Sequence, residues 1–149
     1  MAFISLDVYL GKNHKFYEFP EYQKQNFIPE QILPDLANSF ANYLLPPNRN
    51  HSFIAEMIHA GKVLYIKDLL LPETNDATKM GYSTEQLAWC KANESQVWTY
   101  FVEKNLLYET NSKLLLRFIE PAPFSKFYLD IDAESPGRVG AWIGWQIVR

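Results

Sequence analysis

Apolar residues recur at three- and four-residue steps through most of this chain, and that period predicts helices. From Pro29 and Glu30 to about Leu45, the residues Leu33, Leu36, Ala37, Phe40, Ala41 and Leu44 fall on one face, and Pro46-Pro47 ends the run. Ser52 reads as the cap of a second helix, to about Leu70, with Ile54, Met57, Ile58, Gly61, Leu64 and Tyr65 on a shared face. Pro72 to Gly81 is polar and reads as a loop. Ser83-Thr-Glu-Gln86 has capping-box spacing and opens a third helix, near 84 to 107. Asn93-Glu-Ser-Gln96 comes close to the same spacing and either lies within that helix or restarts it. After the turn Thr110-Asn111-Ser112, Leu114 to Ile119 predicts a short helix. A last helix, near 136 to 149, takes Ser135 as N-cap and Pro136 as its first residue.

The amino-terminal part follows another pattern. Phe3 to Leu10 alternates loosely, is rich in strand formers and ends at Gly11-Lys12-Asn13, which predicts a strand. His14 to Ile28 mixes polar and aromatic residues, with room for one short helix. The expected fold class is therefore mainly α (α+β): a helical domain with one amino-terminal strand. Residues 1–149 make either a single domain or the carboxy-terminal part of a larger one. A strand needs a neighbour for its backbone groups, and no second convincing one follows. The last helix also meets no Gly, Asn or Pro to stop it. Both features carry the expectation of further natural sequence, with Met1 as an internal or artificial start.

Composition narrows the class. Hydrophobic residues make up 48% of the 149 and aromatics 15%, which fits a packed domain rather than a disordered chain. A net charge of -3 offers no basic face for nucleic acid. No apolar run approaches the roughly 20 residues that cross a bilayer. The one cysteine, Cys90, has no second thiol to pair with and reads as a small buried residue of a helix.

Candidate chemistry is sparse. Glu56-Met-Ile-His59 sets a carboxylate and an imidazole one helical turn apart, which by itself is an ordinary helix face more often than a metal site. Asp130, Asp132 and Glu134 alternate as in a calcium loop but lack its Gly and closing acid, so a solvated acidic loop is expected. There is no glycine-rich phosphate loop and no Gly-x-Ser-x-Gly elbow. The expected catalytic, cofactor-binding and metal-ligating sets are all empty.

Gly137, Gly140 and Gly144 line one side of the last predicted helix. Glycine inside a helix costs ~1 kcal/mol against alanine, so close packing on another backbone is needed to offset it. Gly61 or Ala92 is the expected counterpart. Gly144→Leu is then expected to cost ~1–3 kcal/mol or more by overpacking, and Gly144→Ala less. The aromatic content and the lone strand further predict an exposed aromatic patch.

Several words of the sequence, in order, resemble a known family. They are Leu6-Asp-Val-Tyr-Leu-Gly11, Ile32-Leu-Pro-Asp35, Met57-Ile58 with Gly61-Lys62 and Leu64-Tyr65, and Ala92-Asn-Glu94 with Trp98. Pro121-Ala-Pro-Phe-Ser-Lys-Phe-Tyr128 and Ser135-Pro-Gly-Arg138 with Ile143-Gly-Trp-Gln-Ile-Val148 complete the set. Together they look like the carboxy-terminal half of the gliding-motility lipoprotein GldB family, from about Phe3 to Arg149. The resemblance implies a bacterial cell-envelope component of the gliding machinery, lipid-anchored through an upstream cysteine that is not Cys90. It implies action through other envelope proteins rather than catalysis, with no cofactor. Asp7, Asp35, Gly61, Asn93, Glu94, Lys126, Arg138, Gly140, Gly144 and Trp145 are the structural or interaction candidates within those words.

A fainter likeness connects the closing words to predicted zinc-dependent peptidases, in which a His-Glu-x-x-His helix follows a strand. Here the comparable helix reads Ile32-Leu-Pro-Asp-Leu-Ala-Asn-Ser-Phe40, with no histidine. That likeness implies a degenerate zincin-like fold with the metal site lost. The alternative function it leaves open is a residual or divergent metal-dependent hydrolase.

Overall fold

The computed structural model describes residues 3–149, so the expectation about Met1 lies outside the described residues. Among those residues the chain is helical and has no strand. Seven α-helices are α1 (Glu21–Lys24), α2 (Ile32–Leu44), α3 (Phe53–Leu70), α4 (Asp76–Met80), α5 (Thr84–Glu103), α6 (Lys113–Phe118) and α7 (Val139–Val148). Short 3-10 turns lie at Leu6–Val8, Pro29–Gln31 and Asp130–Glu134.

The expected strand at residues 3 to 10 is not formed. Its centre is a turn closed by the Tyr9 N–H on the Leu6 carbonyl at 3.1 Å. The Tyr17 hydroxyl then does what a neighbouring strand would have done. It donates to the Asp7 carbonyl at 2.6 Å and accepts from the Leu10 N–H at 3.0 Å. With backbone groups satisfied locally, alternation alone does not make a strand. Tyr17, Phe19 and Phe27 stack edge-to-face beside this turn, and the Gly11 N–H reaches the Phe27 carbonyl at 2.9 Å. The strand that precedes the His-Glu-x-x-His helix in the zincin-like peptidases thus has no counterpart before α2 among the described residues.

α7 is the hub. Every residue from Val139 to Trp145 is buried, and α3 makes the most extensive contact with it. Gly61 and Gly144 meet backbone to backbone: a Cβ on Gly61 would overlap the Gly144 carbonyl, and one on Gly144 would overlap the Met57 carbonyl. Gly140 packs elsewhere, on α6, where a Cβ would stand 2.9 Å from the Phe118 oxygen. Ala92 is exposed and takes no part. Gly137 precedes the helix, which begins at Val139 rather than Pro136. The backbone turns left-handed at Arg138, φ 64°, so Ser135 cannot cap it. Ser135 is instead buried, its hydroxyl donating toward the Ser125 and Asp132 carbonyls.

Other ends differ from expectation for identifiable reasons. Ser52 makes no side-chain cap; the first N–H groups of α3, on Phe53 and Ile54, are met by the carbonyls of Glu109 and Leu107. α5 stops at Glu103 because Asn105 turns left-handed and the Leu106 N–H bonds back to Phe101. The presumed loop at 72–81 holds α4, capped by Asn75, whose side chain accepts the Thr78 N–H at 2.9 Å. The capping box of Ser83 and Gln86 forms as read, and Asn93 lies within α5. Between α3, α5, α6 and α7 the core is aromatic, with Phe101 touching Phe53 and Phe118 at ring separations of 5.0 Å.

Candidate functional site

α2 lies on α3 through small residues. Pro34, Ala37 and Ala41 are buried, so the two helices approach closely. Above this contact opens a polar cleft of about 470 Å³, closed at its far side by the end of α4 and by the segment from Ile119 to Pro121. Asp35 and Asn38 face it from α2, Glu56, His59 and Lys67 from α3, and Arg138 from the start of α7.

Lys67 carries the unusual physics. It is only 4% exposed, although its neighbours along the helix face are apolar. Its ammonium donates to the Lys79 carbonyl at 2.9 Å. Arg138 donates to the next carbonyl along, that of Met80, at 2.8 Å. Two cations thus hang from consecutive carbonyls at the carboxy-terminal end of α4, where the helix presents unsatisfied oxygens. Burial pulls the Lys67 amine down to about 8; the nearby Arg138 charge adds to this and the Asp35 charge opposes it. Among the described residues neither cation has a carboxylate within ion-pair distance. Asp35 is instead bound by the Tyr9 hydroxyl at 2.9 Å, which clasps the amino-terminal segment to α2. Burial, then the Asp35 bond and charge, push the Tyr9 phenol up to about 12.

Of the ten structural or interaction candidates named from the sequence, the structure brings only Asp35 and Arg138 into this cleft. Asp7 is exposed in the amino-terminal turn, where the Ser5 hydroxyl bonds its carboxylate. Lys126 is exposed, and its backbone pairs with Arg117 through the Lys126 carbonyl. Asn93 bonds the Trp89 carbonyl of its own helix, and Glu94 accepts from the Trp142 indole at 3.3 Å. Gly61, Gly140 and Gly144 are helix contacts. Trp145 is fully buried and donates to Asp68 at 2.9 Å. Asp132, from the segment expected to be a solvated acidic loop, spends its carboxylate on the N–H groups of Phe127 and Tyr128.

Lys67 escaped the sequence reading, yet a signal was present. It stands three residues after Leu64 and four after Val63 on the buried face, where a lysine is out of place. Glu56 and His59 do share the cleft, but no group of three or more His, Cys, Asp or Glu suited to a metal ion forms among the described residues.

The opposite side of α2 is a second surface. Leu33, Leu36, Phe40, Tyr43 and Leu44 are exposed, with Tyr43 at 83% and Phe40 at 47%. Of the apolar face read from the sequence, the large residues are exposed, because the close α2–α3 contact accepts only the small ones, Ala37 and Ala41. Phe3, Leu6, Leu10 and Phe16 are exposed as well. No helix is long and apolar enough to cross a membrane among the described residues.

Searches against curated proteins and against solved structures find no match. A family model described as gliding motility protein GldB matches residues 1–149, the whole chain. The chain therefore belongs to the gliding motility protein GldB family.

Proposed function

We propose that the chain is a non-enzymatic part of the gliding-motility machinery of the bacterial cell envelope, acting by protein–protein interaction. Family membership supports a place in gliding. The outward stripe of α2 carries the rest. Leu33, Leu36, Phe40 and Leu44 recur at helical steps on a face already free of core duties. Scattered surface leucines need no explanation, but a contiguous apolar stripe of this kind marks contact surfaces. The partner is another envelope protein of the machinery. The membrane is met through a lipid anchor upstream, as lipoproteins of this family name would have it.

The test is made in the full-length lipoprotein in a gliding bacterium. Leu36→Glu with Phe40→Glu is expected to abolish colony spreading and co-purification with other envelope proteins, while protein level and localisation stay normal. Normal spreading and co-purification would refute the contact role. A parallel Glu56→Gln, His59→Ala strain separates this reading from a residual hydrolase. It should spread normally, and the purified protein should contain no stoichiometric zinc.

A further inference from the structure

The polar cleft has features that a docking stripe on the other side of α2 does not explain. Lys67 keeps two of its three N–H donors beyond the Lys79 carbonyl, and it points them into a cavity while almost wholly buried. Arg138, which lines the same space, gives one nitrogen to Met80, and its side chain makes no other hydrogen bond among the described residues. A buried cation normally has a carboxylate on it, because desolvation is otherwise uncompensated. Here Asp35 acts on both cations, and Glu120 on Arg138, through space without an ion-pair contact. Arg138 holds this position in a left-handed backbone, φ 64°, which glycine would adopt more easily. Non-glycine residues kept in such conformations gather at ligand sites.

The charge of the walls limits what can enter. Lys79 is neutralised by Asp68 at 2.9 Å, so it adds nothing to the cleft. That leaves Lys67 and Arg138 as cations, against Asp35, Glu56 and Glu120 as acids, all lining the space. A multiply charged phosphate would meet repulsion from three carboxylates. A single carboxylate meets both cations, and an ammonium on the same ligand would meet the acids. The volume, about 470 Å³, lies within the range of small-molecule sites and exceeds what one ion fills.

We infer that this cleft binds a carboxylate-bearing ligand of zwitterionic type, with the carboxylate between Lys67 and Arg138 and the cationic end toward Asp35. Two sources supply that chemistry: a free amino-acid-like molecule, or the terminal carboxylate of a peptide. Arg offers a planar fork to a carboxylate and Lys a point charge, so the pair is suited to one oxyanion. The lowered proton affinity of Lys67, at about 8, is the cost of burying it without an anion, and a bound carboxylate would reverse that shift.

The experiment is a titration of the whole chain at pH 7, read by backbone amide shifts. The probes are glycine, the tripeptide Ala-Ala-Ala, the same tripeptide amidated at its carboxyl end, and inorganic phosphate. Shifts centred on Lys67, Lys79, Met80 and Arg138 are expected with a free carboxylate. The amidated peptide should bind at least about tenfold more weakly, the loss expected when a charge-assisted contact is removed. Binding by both glycine and the tripeptide assigns a small-molecule site, and binding by the tripeptide alone assigns a peptide terminus. Lys67→Met and Arg138→Asn should each weaken the carboxylate probe by about tenfold or more. Asn tolerates the left-handed backbone, so the second variant guards against a failure of the first to fold. The inference is overturned if no free carboxylate binds the native chain at millimolar concentration. It is equally overturned if amidation makes no difference, or if phosphate binds more tightly than either carboxylate.

Discussion

At the scale of single residues, the glycines decide how near the helices come. The sequence ranks Gly144→Ala as less costly than Gly144→Leu. The backbone contact makes even the alanine severe: a Cβ alone on Gly144 overlaps the carbonyl oxygen of Met57, and carbonyl oxygens of a helix do not move aside. Gly144→Ala is therefore expected to lose ~3 kcal/mol or more, at the upper end of the overpacking range. Gly140→Ala, whose Cβ would stand 2.9 Å from the Phe118 oxygen, should lose less than that. Helix propensity pulls the other way by ~1 kcal/mol for each substitution, so a net loss reads the packing directly. Urea unfolding of the two variants gives the comparison. Equal stabilities, or a gain for Gly144→Ala, would show that α3 and α7 can separate at little cost.

At the scale of elements, helices that announce themselves by caps and period were legible, and those held by tertiary contacts were not. α5 could be read from Ser83 and Gln86 because its capping box is a local device. The start of α3 was placed correctly at Ser52, but not what satisfies it: its N–H groups are met by residues 107–109, far along the chain, and not by the Ser52 side chain. The turn at Leu6–Val8 alternates like a strand, and only the distant Tyr17 hydroxyl shows why it is none. α2 was found at the right place, but its one apolar face is divided: Ala37 and Ala41 are buried on α3 while Leu33, Leu36, Phe40 and Leu44 are exposed. Period alone does not say which residues of an apolar face meet the core, and here the small ones do because the partner helix comes close. Two of the cleft's charged residues, Asp35 and Arg138, lie in the words that carry the family likeness. Lys67 does not, and it is long-range burial that makes it unusual. The outward stripe of α2 gives a prediction at this scale. Leu36→Glu with Phe40→Glu should leave thermal stability of the isolated chain within about 0.5 kcal/mol of the native value, as expected for surface changes. A cooperative loss of several degrees would mean that the stripe is part of the fold and not a contact surface.

At the scale of the whole molecule, one ionic network fastens the hub to its neighbours. Asp68 of α3 receives Lys79 of α4 at 2.9 Å, the Trp145 indole of α7 at 2.9 Å, and Arg149 just beyond α7 at 2.9 Å. Arg149 also grips Asp76 of α4 at 2.7 Å and stacks on Trp145 with its guanidinium carbon 3.8 Å from the ring centre. Burial acts against the charged form of Asp68, but the bonds from Arg149, Lys79 and Trp145 outweigh it and hold the carboxyl below its ordinary value. The Arg149 bond is the largest influence on Asp76 and does the same, with burial and the Asp68 charge opposing. Both groups take up protons more readily in the unfolded chain. Their contribution is thus complete above the ordinary carboxylate value, and it falls away as pH drops through that value to the depressed one. Asp68→Asn keeps the shape and removes the charge, leaving the nearly buried Lys79 ammonium without its carboxylate. The expected loss is roughly 1–3 kcal/mol at pH 7, most of it the cost of an unpaired buried charge rather than the strength of the pair. At pH 3 the native protein has lost part of the same contribution, so the gap between native and variant should narrow. Urea unfolding of both proteins at the two pH values measures it. A gap that stays constant from pH 7 to pH 3 would mean that Asp68 acts through the shape of its hydrogen bonds alone, and the network would then be a geometric clasp with no ionic share.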